Sequence, residues 1–278
     1  SDILRAVEER NLFLVALDQR GEWYRYHHLF AEVLRARVER RNPGELTGLH
    51  RRAAVWFERQ ERVGDALDHW LAAGETRHAG HLVAAHWRKE WARGQIVTAR
   101  RWLDRFDTEE LLADPSLTVA AAWILSMTDK TELQRRLMHA AEQLVDSPLA
   151  FDEALRGEVL VLRARLGRSG VHAMKADAEL GRHLVGSDSD LTPMADYCVG
   201  VARMLCGETI RAIAPLEQAA REGHGSQPFV AVGALGQLSL LYADLDRWDE
   251  ARDCAEEAVR RSAEYGPADF LSHAASRL

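Results

Sequence analysis

The sequence has little lysine, few cysteines and no long apolar run, and two of these shortages exclude classes of protein. Only three of the 36 basic residues are lysines, a bias towards arginine that we do not interpret as a binding signal. Three scattered cysteines, Cys198, Cys206 and Cys254, exclude a disulfide framework and predict reduced thiols in a cytoplasmic protein. No apolar run approaches the ~20 residues that a membrane-spanning helix requires, so we expect no membrane contact.

Composition and charge describe an ordinary folded chain. The 278 residues are 47% hydrophobic and 28% charged, which excludes a disordered protein and allows one or two domains with a real core. The net charge is −7 and the isoelectric point is about 6.0. Because nucleic-acid surfaces are usually basic, we predict no direct contact between this chain and nucleic acid.

The N-terminal 43 residues alternate between helix and strand patterns. Residues 2–10 have helical spacing, and the apolar run LFLVAL, the turn DQRG and the alternating EWYRYH predict a β-hairpin over 12–27. Residues 28–41 have one apolar helical face. Helix, hairpin and helix in this order indicate the C-terminal part of a winged-helix domain, which we predict over 1–43.

The spacing of apolar and small residues over the rest of the chain, 44–278, predicts a helical repeat. Residues 234–267 place large apolar side chains in a first helix and Ala251, Ala255 and Ala258 in a second, which is typical of tetratricopeptide repeats. The frame recurs with a period that drifts from about 33 to about 40 residues. We therefore predict an all-α fold: a tetratricopeptide-like, right-handed superhelix of antiparallel helix pairs, with a small N-terminal winged-helix remnant that contains one β-hairpin. The predicted helices are 45–60, 63–73, 76–93, 95–106, 115–127, 130–145, 151–167, 170–185, 191–206, 208–222, 228–245, 247–265 and 267–278.

Chemical motifs are scarce. His27 and His28 are neighbours at a strand-to-helix corner, where successive side chains point to opposite faces, so we interpret them as packing residues. The cluster of His78, His81 and His86 lacks the spacing and the partners of a metal site. We predict no catalytic residue, no metal, no cofactor in this chain and no enzymatic activity.

Two neighbouring stretches carry a resemblance to a known family. The run NLFLVALD…WYRYHHLFAEVLR, followed by LHRRAAVWFERQERVGDALDHWLAAGE, resembles the MalT-like group of large, ATP-dependent LuxR-type transcriptional regulators. The resemblance is strong over 1–110 and only architectural over 111–278. It implies a P-loop ATPase module, a winged-helix domain, a tetratricopeptide-like superhelix that senses an inducer, and a LuxR-type helix-turn-helix that binds promoter DNA.

The motifs of the first and the last domain of that arrangement are not found in this sequence. It has no GxxxxGK[ST] phosphate-binding loop, and no helix-turn-helix follows residue 265. We expect a fragment: the end of the winged-helix domain and the sensor, with the ATPase and DNA-binding domains as intramolecular partners elsewhere. The resemblance implies that the hairpin side chains Trp23, Tyr24, Arg25, Tyr26 and His28 face the ATPase module.

Repeat geometry indicates where an effector would bind. The first helix of each pair lines the concave side, and its inward positions select Met194 and Tyr197 as candidate effector-binding residues. Neighbouring polar residues and one upstream aromatic complete the candidate set: Arg165, Arg203, Gln237, Asp244 and Trp123. The first hypothesis is a sensor in which a small-molecule or protein effector shifts the conformational population, releases the ATPase module and permits self-association. The alternative is a protein- or peptide-binding scaffold with no small-molecule ligand.

Overall fold

The computed structural model describes residues 13–16, 24–42, 44–128, 132–145 and 152–265. Helices account for 82% of these residues, and the described part contains fourteen helices and one small antiparallel sheet. The predicted all-α helical-repeat class with one β-hairpin is therefore confirmed. Within the described ranges, no helix combines the length and the apolar character that crossing a membrane demands.

The sheet is the predicted hairpin. Strand β1 (Leu14–Ala16) pairs antiparallel with β2 (Tyr24–Tyr26), so that Leu14 lies opposite Tyr26. The His27 backbone N–H donates to the Phe13 carbonyl at 2.7 Å and closes the open end of the ladder. The predicted helix over 2–10, the predicted turn DQRG and the strand residue Trp23 all lie outside the described residues.

Fourteen helices follow the hairpin. They are α1 (His28–Arg41), α2 (Glu45–Arg59), α3 (Val63–Ala72), α4 (Thr76–Ala92), α5 (Ile96–Leu103), α6 (Thr108–Ala113), α7 (Pro115–Thr128), α8 (Glu132–Val145), α9 (Glu153–Leu166), α10 (Val171–Val185), α11 (Thr192–Leu205), α12 (Thr209–Ser226), α13 (Pro228–Asp244) and α14 (Trp248–Tyr265). Most predicted segments match a helix closely, but α12 extends past the predicted end at 222. The predicted segment 267–278 lies outside the described residues.

Helix α6 is the element that the sequence-based segments omit. The Asp107 carboxylate accepts from the Glu110 backbone N–H at 2.8 Å, and the Glu110 carboxylate accepts from the Asp107 N–H at 2.9 Å. This reciprocal capping box satisfies two N–H groups that a helix start leaves unpaired, so a six-residue helix can form.

The chain divides into two compact units, Ser1–Ala79 and Gly80–Leu278. The predicted domain boundary at residue 43 remains a prediction. In the first unit, α2 and α3 pack on each other through small and large apolar side chains, and Ala54, Ala66 and Leu67 are fully buried there.

The second unit is a series of packed helix pairs. Helices α9 and α10, α11 and α12, and α13 and α14 pack as consecutive pairs, and α7, α9, α11 and α13 each contact the next helix in that row. The alanines that the repeat spacing places at crossing points are buried, among them Ala212, Ala219, Ala251 and Ala258. Small side chains therefore occur where neighbouring helices approach.

Two glycines bring α9 and α10 still closer. A Cβ on Gly157 would lie 2.9 Å from the backbone nitrogen of Val185, and one on Gly181 would lie 3.0 Å from the backbone nitrogen of Val161. Real Cβ atoms essentially never come as close as the 2.9 Å contact at Gly157, and the 3.0 Å contact at Gly181 is tighter than most. The two backbones therefore approach closely at both glycines, and a Cβ at Gly157 would force them to shift.

Candidate functional site

Several polar side chains follow one another along the first helices of the helix pairs in the second unit. The charged one is Arg165, on α9. The Arg165 guanidinium donates to the hydroxyl of Ser126, on α7, at 3.1 Å. The side chain is partly buried, and burial lowers the pKa of the guanidinium. No carboxylate among the described residues forms an ion pair with Arg165.

Tyr197 of α11 and Gln237 of α13 continue the row. Burial raises the pKa of the Tyr197 hydroxyl, whereas the positive charge of Arg165 and a side-chain hydrogen bond from Gln237 lower it. Both influences indicate that Arg165 and Gln237 lie near the Tyr197 hydroxyl. The Tyr197 ring also lies 3.5 Å from the position that a Cβ on Gly233 would occupy. The structure thus brings together Arg165, Tyr197 and Gln237, and it adds Ser126, which the sequence did not indicate. We call these four residues the polar row.

Two predicted effector residues lie in the core instead. Trp123 has no exposed surface and packs against Trp87 and Trp91, with ring centroids 5.9 and 6.4 Å away. Met194 is 6% exposed and its sulfur lies 3.9 Å from the Cys198 sulfur. Neither side chain lines the polar row.

The last two predicted effector residues are also separate from the polar row. Arg203 forms an ion pair with Glu179 of α10 at 2.9 Å and donates to the Arg211 carbonyl of α12 at 3.2 Å. Its hydrogen bonds therefore tie α11 to its neighbours. Asp244 is exposed at the C-terminal end of α13.

A cavity of about 350 Å³ lies in the second unit, between α4, α7 and α9. Arg88 and Glu158 line it and form an ion pair whose side chains are less than a fifth exposed. Burial raises the pKa of the Glu158 carboxyl, and the charge of Arg88 opposes that shift. The Nε atoms of Trp87 and Arg88, at or beside the cavity, have no hydrogen-bond partner among the described residues. No sequence motif indicates this pair, because Arg88 and Glu158 lie far apart in the chain.

The histidine cluster forms separate contacts and not one site. His78 lies 3.0 Å from the Glu58 carboxylate, His81 lies 2.9 Å from the Asp114 carboxylate, and His86 bonds to the Leu82 carbonyl. In the described ranges, no three side chains of the metal-ligating types converge on a common point.

Five tryptophans of the first helices divide into two groups by exposure. Trp70, Trp87, Trp91 and Trp102 are at most 8% exposed and belong to the core. Trp56 is 45% exposed and lines an open groove on α2 with Arg51, Arg52, Val55 and Arg59.

The hairpin and α1 expose apolar surface. Phe13, Val15, Leu29 and Val33 are between 51% and 61% exposed. Among the residues assigned to interdomain contact, Tyr24 is partly buried, whereas Arg25, Tyr26 and His28 are exposed, and the His27 and His28 rings lie 4.5 Å apart. Trp23 lies outside the described residues.

Together these features define a class: a helical-repeat protein with an N-terminal hairpin unit. Comparison with known proteins narrows that class. Residues 1–46 match the family model of the MalT winged helix domain. The chain is 31% identical to the HTH-type transcriptional regulator MalT of Cronobacter sakazakii (strain ATCC BAA-894) over 163 residues, which are 59% of this chain and 18% of that protein.

A second relative extends the match over most of the chain. MalT of Serratia proteamaculans (strain 568) is 27% identical over 271 residues, which cover 92% of this chain and 29% of that protein. The chain thus spans less than a third of the length of these curated relatives. The resemblance to MalT-like transcriptional regulators that the sequence predicts is confirmed.

Proposed function

We propose that this chain is the signal-sensing region of a cytoplasmic, MalT-like LuxR-type transcription regulator. An effector binds along the first helices of the second unit and is coupled to an ATPase module and a DNA-binding domain elsewhere in the full-length protein. The observation that carries the proposal is the polar row, because it joins four first helices, α7, α9, α11 and α13, through side chains that can hydrogen-bond a ligand. A ligand that contacts several repeats at once favours one arrangement of the repeats over others.

Coupling follows from differential binding. A ligand shifts a conformational equilibrium only by as much as its affinities for the two states differ, and a typical coupling free energy is about 1–3 kcal/mol. A row made of residues from four helices satisfies this condition, since a change in the angle between repeats changes the distances within the row. The state that the effector favours releases the ATPase module and permits self-association.

The exposed apolar surface of the hairpin and α1 supports the interdomain part of the proposal. Val15, Leu29 and Val33 lie beside Tyr26 and His28 in this segment, and they expose more than half of their surface. Apolar surface of this kind marks a contact with another protein or domain. We assign the ATPase module of the full-length regulator as the domain that covers it.

Isothermal titration tests the sensing function. Metabolite pools fractionated by charge are titrated into this chain, and a saturable heat that is lost in the Tyr197→Phe, Gln237→Ala double variant is the expected result. Both substitutions lie in the polar row and remove polar atoms from partly buried residues. No heat and no thermal shift from any fraction would contradict the proposal.

The second candidate function is a protein- or peptide-binding scaffold. Leu240, three residues after Gln237 on α13, is 53% exposed, and an apolar side chain next to a polar row suits a peptide ligand. A pull-down that returns one protein at stoichiometric yield, combined with no response to small molecules, favours this alternative.

A further inference from the structure

Arg165 differs from the other partly buried arginines of the second unit. Arg163 pairs with Asp177 at 2.8 Å, Arg182 pairs with Asp196 at 2.6 Å, and Arg88 pairs with Glu158. Arg165 has only the neutral hydroxyl of Ser126 as a hydrogen-bond acceptor among the described residues. The two partly buried arginines of helix α9 therefore differ: among the described residues, Arg163 has a carboxylate partner and Arg165 does not.

The ionisable groups beside Arg165 supply no negative charge. Burial raises the pKa of the Cys198 thiol to about 12, so the thiol is protonated at neutral pH. The Cys198 sulfur lies 3.9 Å from the Val161 carbonyl oxygen, in keeping with a neutral thiol that donates there. Burial likewise raises the pKa of the Tyr197 hydroxyl above its ordinary value. Arginine keeps its proton at neutral pH, and the positive charge of Arg165 is therefore not neutralised by either neighbour.

The hydrogen-bond directions around Arg165 leave donors unused. The Ser126 hydroxyl donates to the Trp123 carbonyl at 2.7 Å, so its oxygen is the acceptor for Arg165. Gln237 lies close enough to Tyr197 to lower the pKa of its phenol. A guanidinium has five N–H groups, and one of those of Arg165 bonds to an acceptor among the described residues.

A partly buried cation with spare donors is costly unless an acceptor with negative charge joins it. Taking a charge out of water costs several kcal/mol, and an opposite charge with good hydrogen-bond geometry offsets that cost. Carboxylates and phosphates match the planar guanidinium through two parallel N–H···O bonds. The spare N–H groups of Arg165 suit a ligand with this chemistry.

We propose that the effector of the polar row is a small anionic molecule whose carboxylate or phosphate group pairs with Arg165 and accepts a hydrogen bond from Tyr197. The inference rests on the proposed sensing function and specifies its ligand class. The uncharged remainder of the ligand extends towards Gln237 and α13, so this end of the row selects among anions.

The test compares Arg165→Gln with Arg163→Gln in thermal unfolding, first without ligand. Arg163→Gln removes one member of an ion pair and is expected to lower the unfolding temperature by several degrees. Arg165→Gln removes a charge that has no partner and is expected to leave the unfolding temperature unchanged or raised. If Arg165→Gln is destabilised as much as Arg163→Gln, the side chain has a structural role and the inference is wrong.

The second arm measures binding with matched probes. Pairs that differ only in one anionic group are titrated into wild-type protein: inorganic phosphate against chloride at equal ionic strength, glucose 6-phosphate against glucose, and succinate against succinamide. We expect the anionic member of at least one pair to bind, and Arg165→Gln to weaken it roughly tenfold or more while Arg163→Gln leaves its Kd unchanged.

The remaining outcomes distinguish a failure of the anionic ligand class from a failure of the proposed sensing function. If a neutral probe or a neutral fraction of a metabolite pool binds, and Arg165→Gln does not change its Kd, the anionic class is wrong and the sensing function stands. If no small molecule binds and a protein is captured at stoichiometric yield, both proposals are overturned.

Discussion

Helices α1 and α13 are both rich in apolar residues, yet they use them in opposite ways. Helix α13 buries nine residues, from Pro228 to Tyr242, against its neighbours in the repeat. Helix α1 has no buried residue, and its Leu29 and Val33 expose about three fifths of their surface. The repeat helix thus completes its core within the described chain, whereas α1 offers apolar surface that the described residues do not cover.

The difference teaches that burial of apolar surface is concentrated in the repeats, whereas α1 leaves its apolar face exposed to the extent that the described residues do not cover it. Burial of apolar surface contributes about 25 cal/mol per Å², so the packed repeats supply most of the folding free energy. The exposed face of α1 adds little to the stability of this chain and remains available for another domain. Three predictions test that division, in order of decreasing effect.

The largest effect is expected at the buried ion pair of the repeats. Arg88→Met leaves Glu158 without its partner, and removing one member of a buried pair costs about 3–5 kcal/mol, reduced here to about 2–4 kcal/mol by partial exposure.

This loss of unfolding free energy depends on pH. Because the pKa of the Glu158 carboxyl is raised in the folded state, the folded protein binds a proton that the unfolded chain has released. Stability is therefore favoured at low pH and falls as the pH rises through the raised folded pKa.

Urea unfolding of Arg88→Met at about pH 5 and about pH 7 checks this sign, with the smaller loss expected at the lower pH. The double variant with Glu158→Gln removes the titrating group and should flatten the added pH dependence. An equal loss at both pH values in the single variant would show that the carboxyl is not responsible.

An intermediate effect is expected where α9 and α10 touch. Gly157→Ala forces a Cβ to within 2.9 Å of the Val185 backbone nitrogen, and overpacking of this kind costs about 1–3 kcal/mol. Gly225→Ala is the matched control, since a Cβ on this α12 glycine meets nothing within 4 Å. The control should gain up to about 1 kcal/mol from helix propensity. Chemical unfolding of both variants measures the difference, and equal stabilities would refute the close crossing.

The smallest effect on stability is expected on α1. Val33→Ser changes an exposed residue and should alter the free energy of unfolding by less than about 0.5 kcal/mol. Leu67→Ala, at a fully buried position of α3, should cost about 2–5 kcal/mol in the same assay. If the proposed contact between α1 and an ATPase module exists, Val33→Ser should nevertheless weaken it. A large loss of stability from Val33→Ser alone would show that the α1 face is already covered.

The sequence alone was sufficient to predict the helices and part of the polar row. Helical periodicity located the segments, and the repeat frame selected Tyr197 because inward-facing positions recur at fixed offsets, whereas Gln237 was added as a neighbouring polar residue. Trp123 was added as an upstream residue and lies in the core, because α7 is buried on every side from Leu117 to Leu125 and a helix without a polar face carries no mark of its inner side.

Two other features were hidden from the sequence for different reasons. The capping box of α6 was visible as Asp107 and Glu110 at the right spacing, but the helix is too short for a periodic pattern. The pairing of Arg88 with Glu158 is set by how α4 and α9 pack, and neither residue type is unusual in its own helix. Such a contact can be recognised only when the packing of the two helices is known.

The glycine crossing of α9 and α10 has a mechanical consequence. Where two helices meet backbone to backbone, no flexible side chain lies between them to absorb a displacement, so we expect this pair to resist bending at its crossing. Arg165 lies on α9, one helix of that pair, and Arg182 of α10, the other helix, pairs with Asp196 of α11. We therefore expect a displacement of α9 at Arg165 to be felt at α11 as well as at α10.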